Sequence, residues 1–163
     1  MTIEVGDRIP EAVLQTIRSG VEKIDTHALF EGKRAVLFAV PGAFTPTCSE
    51  RHLPGYVEHY DAFHRRGIEV MCVSVNDPFV MHAWGESQQV PDGLLMLADG
   101  NGDLTRAMGL QMDASAYGMG LRSKRYALYI DNGIVRDLQV EAPGELRAST
   151  AEHMLARIPD TAP

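Results

Sequence analysis

The sequence predicts a three-layer α/β domain, with helices covering both faces of a central mixed β-sheet. Three observations carry this expectation. Short apolar runs at 35–40, 68–75 and 94–98 have the composition of strands buried on both faces. Stretches with helical spacing separate them, as crossover connections between parallel strands require. Near the end, Asn132-Gly133 lies between two strand-like runs and marks a hairpin, which adds antiparallel strands to a parallel beginning.

The elements follow in order. The run 35–40 stops at Pro41-Gly42. Thr45-Pro46 then has the form of a helix start, with Thr45 as N-cap and Pro46 at the first helical position. Helical spacing continues to about Arg65, and Pro54-Gly55 is expected to kink or split it. After the β-branched run 68–75, Asn76-Asp77-Pro78 turns the chain into a helix through Trp84 to about Ser87. The strand 94–98 ends at Asp99-Gly100-Asn101-Gly102, and 103–110 reads as a short helix. Strands 126–130 and 134–140 flank Asp131-Asn132-Gly133. An amphipathic helix over 149–158, capped by Ser149 or Thr150, stops at Pro159. No repeat, low-complexity tract or linker interrupts the chain, so one domain over 1–163 is expected.

Composition limits the partners. The 163 residues are 45% apolar and 23% charged, a globular balance that can bury a core without disulfide staples. A net charge of −7, spread without blocks, disfavours phosphate backbones and anionic lipid, so neither nucleic acid nor membrane is an expected partner. Residues 1–10 carry Glu4, Asp7 and Arg8 and lack the apolar centre of a signal peptide. The longest apolar run, 35–40, is far too short to span a bilayer, and no Asn-x-Ser/Thr acceptor occurs. The two cysteines, Cys48 and Cys72, form neither a CxxC nor a disulfide framework. The expected setting is the cytoplasm, with both thiols reduced.

Chemistry concentrates at Cys48. With Thr45 as N-cap, Cys48 falls in the first helical turn, where unpaired backbone N–H groups and the helix dipole favour an anion. That placement favours the thiolate, the nucleophilic form of cysteine. The Thr45 hydroxyl, three residues earlier, can reach back to the sulfur or to a bound oxygen. The plainer alternative is a cysteine that only packs, since free Cys is among the most buried residue types. Cys72 fits that alternative, because it lies inside an apolar strand. The six histidines lack zinc-site spacing. His52 and His59, seven apart, lie near one face but are separated by Pro54-Gly55, and solvated or core histidines explain them. Gly100-Asn101-Gly102 is not a dinucleotide fingerprint, and no P-loop occurs. Phe44, Phe79 and Trp84 suit either an interface or ordinary core packing.

Pro41, Thr45 and Cys48 match the PxxxTxxC motif of peroxiredoxins. The fuller string PGAFTPTCSERHLPGY resembles the peroxiredoxin-5 (type II) subfamily, and the resemblance continues through SVNDPFVMHAW, ADGNGDLTRAMGL and RSKRYALYIDNGIV. It implies a thioredoxin-like fold, peroxide reduction without metal or organic cofactor, and often a homodimer. By this resemblance Cys48 is the peroxidatic cysteine, Thr45 hydrogen-bonds the sulfur and the peroxide, Pro41 shields the sulfur from bulk water, and Arg125 rather than Arg122 is the catalytic arginine. The thiolate would attack one oxygen of hydrogen peroxide or an organic hydroperoxide and become a sulfenic acid. Arg125 and the N–H groups of Thr47 and Cys48 are suited to hold the charge that moves onto the leaving oxygen.

Subfamily members with an internal disulfide usually carry the second cysteine near the C-terminal part, and 141–149 has none. This departure favours a one-cysteine cycle recycled by an external thiol such as glutathione, glutaredoxin or thioredoxin. Two other readings stand beside it. A thioredoxin-like disulfide oxidoreductase would need CxxC at the helix start, where position 45 holds Thr. A redox-sensing or partner-binding module needs the same activated thiol but no sustained turnover.

Overall fold

Arg34–Ala39 shows why the sheet is buried on both sides. Its alternate residues enter opposite cores: Val36 and Phe38 on one face, Ala35, Leu37 and Ala39 on the other. The computed structural model describes residues 2–159; Met1 and 160–163, which complete the expected 1–163 span, lie outside the described residues.

The chain begins with strands β1 (Val13–Ile17) and β2 (Val21–Asp25), then helix α1 (Thr26–Phe30) and strand β3 (Arg34–Ala39). A π-helical turn, Cys48–His52, leads into α2 (Leu53–Glu58) and α3 (Tyr60–Arg65). There follow β4 (Ile68–Ser74), α4 (Pro78–Ser87), β5 (Leu95–Ala98), α5 (Asp103–Ala107) and β6 (Gln111–Asp113). A 3-10 turn, Ser115–Tyr117, precedes β7 (Leu121–Ser123), β8 (Tyr126–Asp131), β9 (Ile134–Val140) and α6 (Ala151–Arg157).

Seven strands form one mixed sheet in the order β2-β1-β5-β4-β3-β8-β9. The pairs β3/β4 and β4/β5 are parallel, and the others are antiparallel. One face packs Cys48, Leu53, Tyr56, Phe63, Trp84 and Met154 from the π-turn and α2, α3, α4 and α6. The other packs Leu29, Phe30, Leu104 and Met108 from α1, α5 and the residue following it. The expected three layers are present. Each fully buried Leu or Phe contributes about 1.5–3 kcal/mol of transfer free energy.

Several expectations change in detail. The β1–β2 hairpin, α1 and the small β6–β7 sheet are additions to the sequence reading. The fifth helix covers Asp103–Ala107, short of the expected 110. The last helix starts at Ala151 with Thr150 as cap, its hydroxyl accepting from His153 N–H. Pro54 does not split its helix; the break comes later, at His59, which leaves helical geometry (φ −98°, ψ 9°). In a regular α-helix the Pro54 ring would press on the carbonyl of Glu50. The wide π-turn immediately before it, closed by Leu53 N–H to Cys48 O, absorbs that conflict. The Asn132-Gly133 turn forms as expected, with φ of 50° and 82°.

Candidate active site

β3 ends at Ala39 and delivers the chain, at the carboxyl end of the parallel strands, into the 41–47 loop. Helical backbone begins at Pro46, right after Thr45, and Ser49 N–H donates to Thr45 O at 2.9 Å. Thr47 and Cys48 therefore sit in the first turn, where their N–H groups lack intrahelical partners. Cys48 is fully buried, whereas Pro41, Thr45 and Thr47 are half-buried around it in sequence.

The loop is held tightly. Asn76 Oδ1 accepts from Ala43 N–H (3.0 Å) and from Ser74 Oγ (2.6 Å), which fastens the loop to the end of β4. Gly42 permits a close approach: a Cβ there would meet Met119 Cε at 3.0 Å and Thr45 Cγ2 at 3.2 Å. Trp84 Nε1 donates to Ser49 Oγ at 3.0 Å, fixing the residue beside Cys48. Phe44 adopts φ of 64°, unusual for a bulky residue, and its ring is 55% exposed.

Sheet register brings the arginine. β8 runs antiparallel to β3 with Tyr126 opposite Ala39, so Arg125 lies beside the exit of β3. Its Nη2 donates to Cys48 Sγ at 3.2 Å. A charged donor makes this a strong hydrogen bond. Arg122 does something else: its Nε donates to Met119 O and its Nη1 to Val75 O, both at 2.9 Å. It braces loops and does not touch the sulfur in this arrangement.

Two expectations need correction. Thr45 precedes the helix, but its hydroxyl does not cap it, and its proton is directed at Gly42 O (2.6 Å) rather than at Cys48. A hydroxyl has one proton, so toward a peroxide the Thr45 oxygen can only accept. His52 is a core histidine, as expected, but it has a place in the site. Its Nδ1 accepts from Arg125 Nη1 at 2.8 Å, and its Nε2 faces Ser149 O at 3.0 Å. Its spacing of four from Cys48 on one helical run is the signal that could have found it.

Burial, then the Arg125 guanidinium, hold the His52 imidazole down at about 3. It is neutral at physiological pH, with Nδ1 as acceptor and Nε2–H as donor. In the unfolded chain it protonates near 6.5. Between these values the unfolded state binds more protons, so stability is lost as pH falls from about 6.5 towards 3. One group supplies a slope of at most about 1.4 kcal/mol per pH unit. Urea unfolding at stepped pH should show the stabilities of the parent and His52→Gln converging as pH falls through this window. Parallel curves would contradict a buried neutral His52.

Cys72 lies at mid-strand in β4, paired with Phe38 and fully buried. Burial, then the nearby Cys48, push its thiol well above the ordinary range, against a smaller pull from Arg125. It is inert in this position. A groove of about 600 Å³, lined by Thr16, His82, Gly85 and Met96 among others, lies along α4 and the β1–β5 pair and does not include Cys48. Glu58, His59 and Glu152 bring ligand atoms within 4.8 Å of one another, but both carboxylates are exposed and His59 Nε2 already pairs with Glu152 at 2.8 Å.

The Redoxin family profile matches residues 4–155. The chain is 49% identical over 161 residues to the rice (Oryza sativa subsp. japonica) protein Peroxiredoxin-2E-2, chloroplastic, covering 94% of this chain and 72% of that protein. Among solved structures, reduced Prx3 of Vibrio vulnificus in complex with H2O2 superposes with a TM-score of 0.92 at 50% identity, over 96% of this chain and 99% of that one. Peroxiredoxin 5 of Alvinella pompejana gives 0.83 at 37% identity, over 94% and 96%. With a buried cysteine at a helix start and an arginine on its sulfur, the chain belongs to the peroxiredoxin family of thiol peroxidases.

Proposed function

We propose that this peroxiredoxin reduces hydrogen peroxide and small alkyl hydroperoxides through Cys48 and is recycled by an external thiol in a one-cysteine cycle. The observation that carries the reading is Arg125 Nη2 at 3.2 Å from Cys48 Sγ, at the first turn of a helix. The Cys48 thiolate attacks one oxygen of ROOH; the O–O bond breaks, sulfur becomes a sulfenic acid, and the leaving alkoxide takes a proton to give ROH. Negative charge moves from sulfur to the leaving oxygen during this step. Arg125 and the free N–H groups of Thr47 and Cys48 are preorganised to follow it. The Thr45 oxygen, its own proton held by Gly42 O, accepts from the peroxide O–H, and Pro41 screens the loop from water.

Recycling rests on what surrounds the sulfur. Cys72 is locked in the sheet, and Ser149 rather than a cysteine comes from 141–149 toward the site. An external thiol therefore attacks the sulfenic acid, water leaves, and a second thiol releases reduced Cys48 and a disulfide. Glutathione, glutaredoxin and thioredoxin supply this chemistry. Because Cys48 is fully buried, the attacking thiol needs local opening, and the π-turn 48–52 is where the helix is weakest. Exposed Phe44, Phe79 (66%) and Tyr117 (82%) support a homodimer, and dependence on a thiol reductant suits the cytoplasm.

Turnover with each reductant tests the cycle. Cys72→Ser should retain the parental rate with glutathione and glutaredoxin or with thioredoxin. A dependence on Cys72 would replace the one-cysteine cycle. Reaction with peroxide but no turnover with any of these reductants would favour the redox-sensing module instead.

A further inference from the structure

Behind His52 lies a hydrogen-bonded chain that takes no direct part in the peroxide reaction. Glu141 follows β9 directly, and its N–H donates to Arg125 O at 2.9 Å, so the β8–β9 register sets the two residues side by side. The residue is 8% exposed. Three donors converge on its Oε2: Arg147 N–H (2.8 Å), Ser149 N–H (2.7 Å) and Ser149 Oγ–H (2.8 Å). Burial alone would push this carboxyl up, but the Ser149 and Arg147 donors outweigh it and hold it below its usual value. It stays a carboxylate, which can only accept.

That fixes the direction of every bond up to the sulfur. With its proton on Glu141, the Ser149 hydroxyl can only accept, and His52 Nε2 faces both its Oγ (3.3 Å) and its carbonyl (3.0 Å). His52 must then carry its proton on Nε2 and leave Nδ1 as a lone pair for Arg125 Nη1. One side of the guanidinium is thereby held, and Nη2 is left pointing at Cys48 Sγ. Tyr56 O–H also donates to Ser149 O (2.8 Å), a second donor to that carbonyl beside His52 Nε2. The chain joins residues nearly a hundred positions apart and ends on the reacting atom.

We propose that Glu141 is a positioning residue for peroxide reduction, aiming Arg125 at Cys48 through Ser149 and His52. It touches neither substrate nor sulfur. Its part is to fold 141–149 so that Ser149 meets His52, and to set the polarity of the chain. The inference rests on the peroxidase reading above.

The test compares the rate of hydrogen peroxide reduction with the rate of Cys48 alkylation by iodoacetamide, in the parent and in Glu141→Ala. Peroxide reduction needs the guanidinium on the leaving oxygen, whereas alkylation needs only the thiolate. Glu141→Ala should slow peroxide reduction roughly tenfold, as a small misplacement of a catalytic group does, and slow alkylation less. Glu141→Gln, whose amide oxygen still accepts, should recover part of the loss. In a His52→Ala background Glu141→Ala should cost nothing more, because the link is already cut. A parental peroxide rate in Glu141→Ala, or a full further loss in the His52→Ala background, would overturn the proposal. Should Glu141→Ala fail to fold, Ser149→Ala removes the hydroxyl link between Glu141 and His52 and leaves only the link through the Ser149 N–H and carbonyl; it should be several-fold slow and equally silent behind His52→Ala, and a parental rate overturns the proposal. Slow peroxide reduction by the parent itself would instead sink the peroxidase reading.

Discussion

Cys48→Ser is expected to reduce peroxide turnover to the uncatalysed background. Serine keeps nearly the same shape, so the buried position beside Leu53, Tyr56 and Trp84 remains filled. Arg125 Nη2 still finds an acceptor, and the fold should survive. What disappears is the nucleophile, because an alcohol does not ionise at neutral pH and sulfenic acid cannot form. A coupled assay with excess peroxide and reductant reads this directly. Retained turnover in Cys48→Ser would remove Cys48 from the mechanism and leave Cys72, sealed inside β4, as an implausible substitute.

Arg125→Ala should slow the peroxide step by about 10²–10³-fold, the usual loss when one preorganised donor to a developing oxyanion is removed. Two effects act in the same direction: the thiolate loses its cation, and the leaving oxygen loses its donor. His52 Nδ1 also loses its partner, so a buried acceptor is left unpaired and stability falls as well. Arg122→Ala is the control. Its donors go to Met119 O and Val75 O, so it should loosen the loop contacts and slow the reaction far less. Rapid-mixing rates for the two variants decide between them. A fast Arg125→Ala beside a slow Arg122→Ala would transfer the role to Arg122.

What could be read from the sequence follows burial. The runs that became β3, β4 and β5 are apolar without alternation because both faces are covered, so they stood out against their surroundings. β1 and β2 lie at one side of the sheet; Leu14 and Thr16 alone are fully buried in the pair, and Val13 and Val21 face outward, so neither strand carried a strong pattern. The three-residue strands β6 and β7 were too short to show a period. Pro54 was read from local propensity, whereas the π-turn ahead of it makes room for the ring.

The site divides in the same way. Cys48 was legible from Thr45-Pro46 and the helix start, and Arg125 from the family block at the entry to β8. His52, Ser149 and Glu141 were not legible together. Their meeting depends on β9 returning beside β8 and on 141–149 folding back over the π-turn, contacts across 97 residues that no local spacing encodes. The Thr45 hydroxyl was misread for a related reason: its choice of Gly42 O depends on the loop path, which is fixed by Asn76 and by the room at Gly42.

The proposed function places O–O cleavage at Cys48, held under Arg125. Stopped-flow mixing of the pre-reduced protein with hydrogen peroxide, in the absence of any reductant, tests it most directly. Rapid consumption of one equivalent of peroxide per chain is expected, with Cys48 converted to a sulfenic acid and Cys72 untouched. A rate no greater than that of a free thiol would contradict it, and would show that the arrangement at Cys48 serves something other than peroxide reduction.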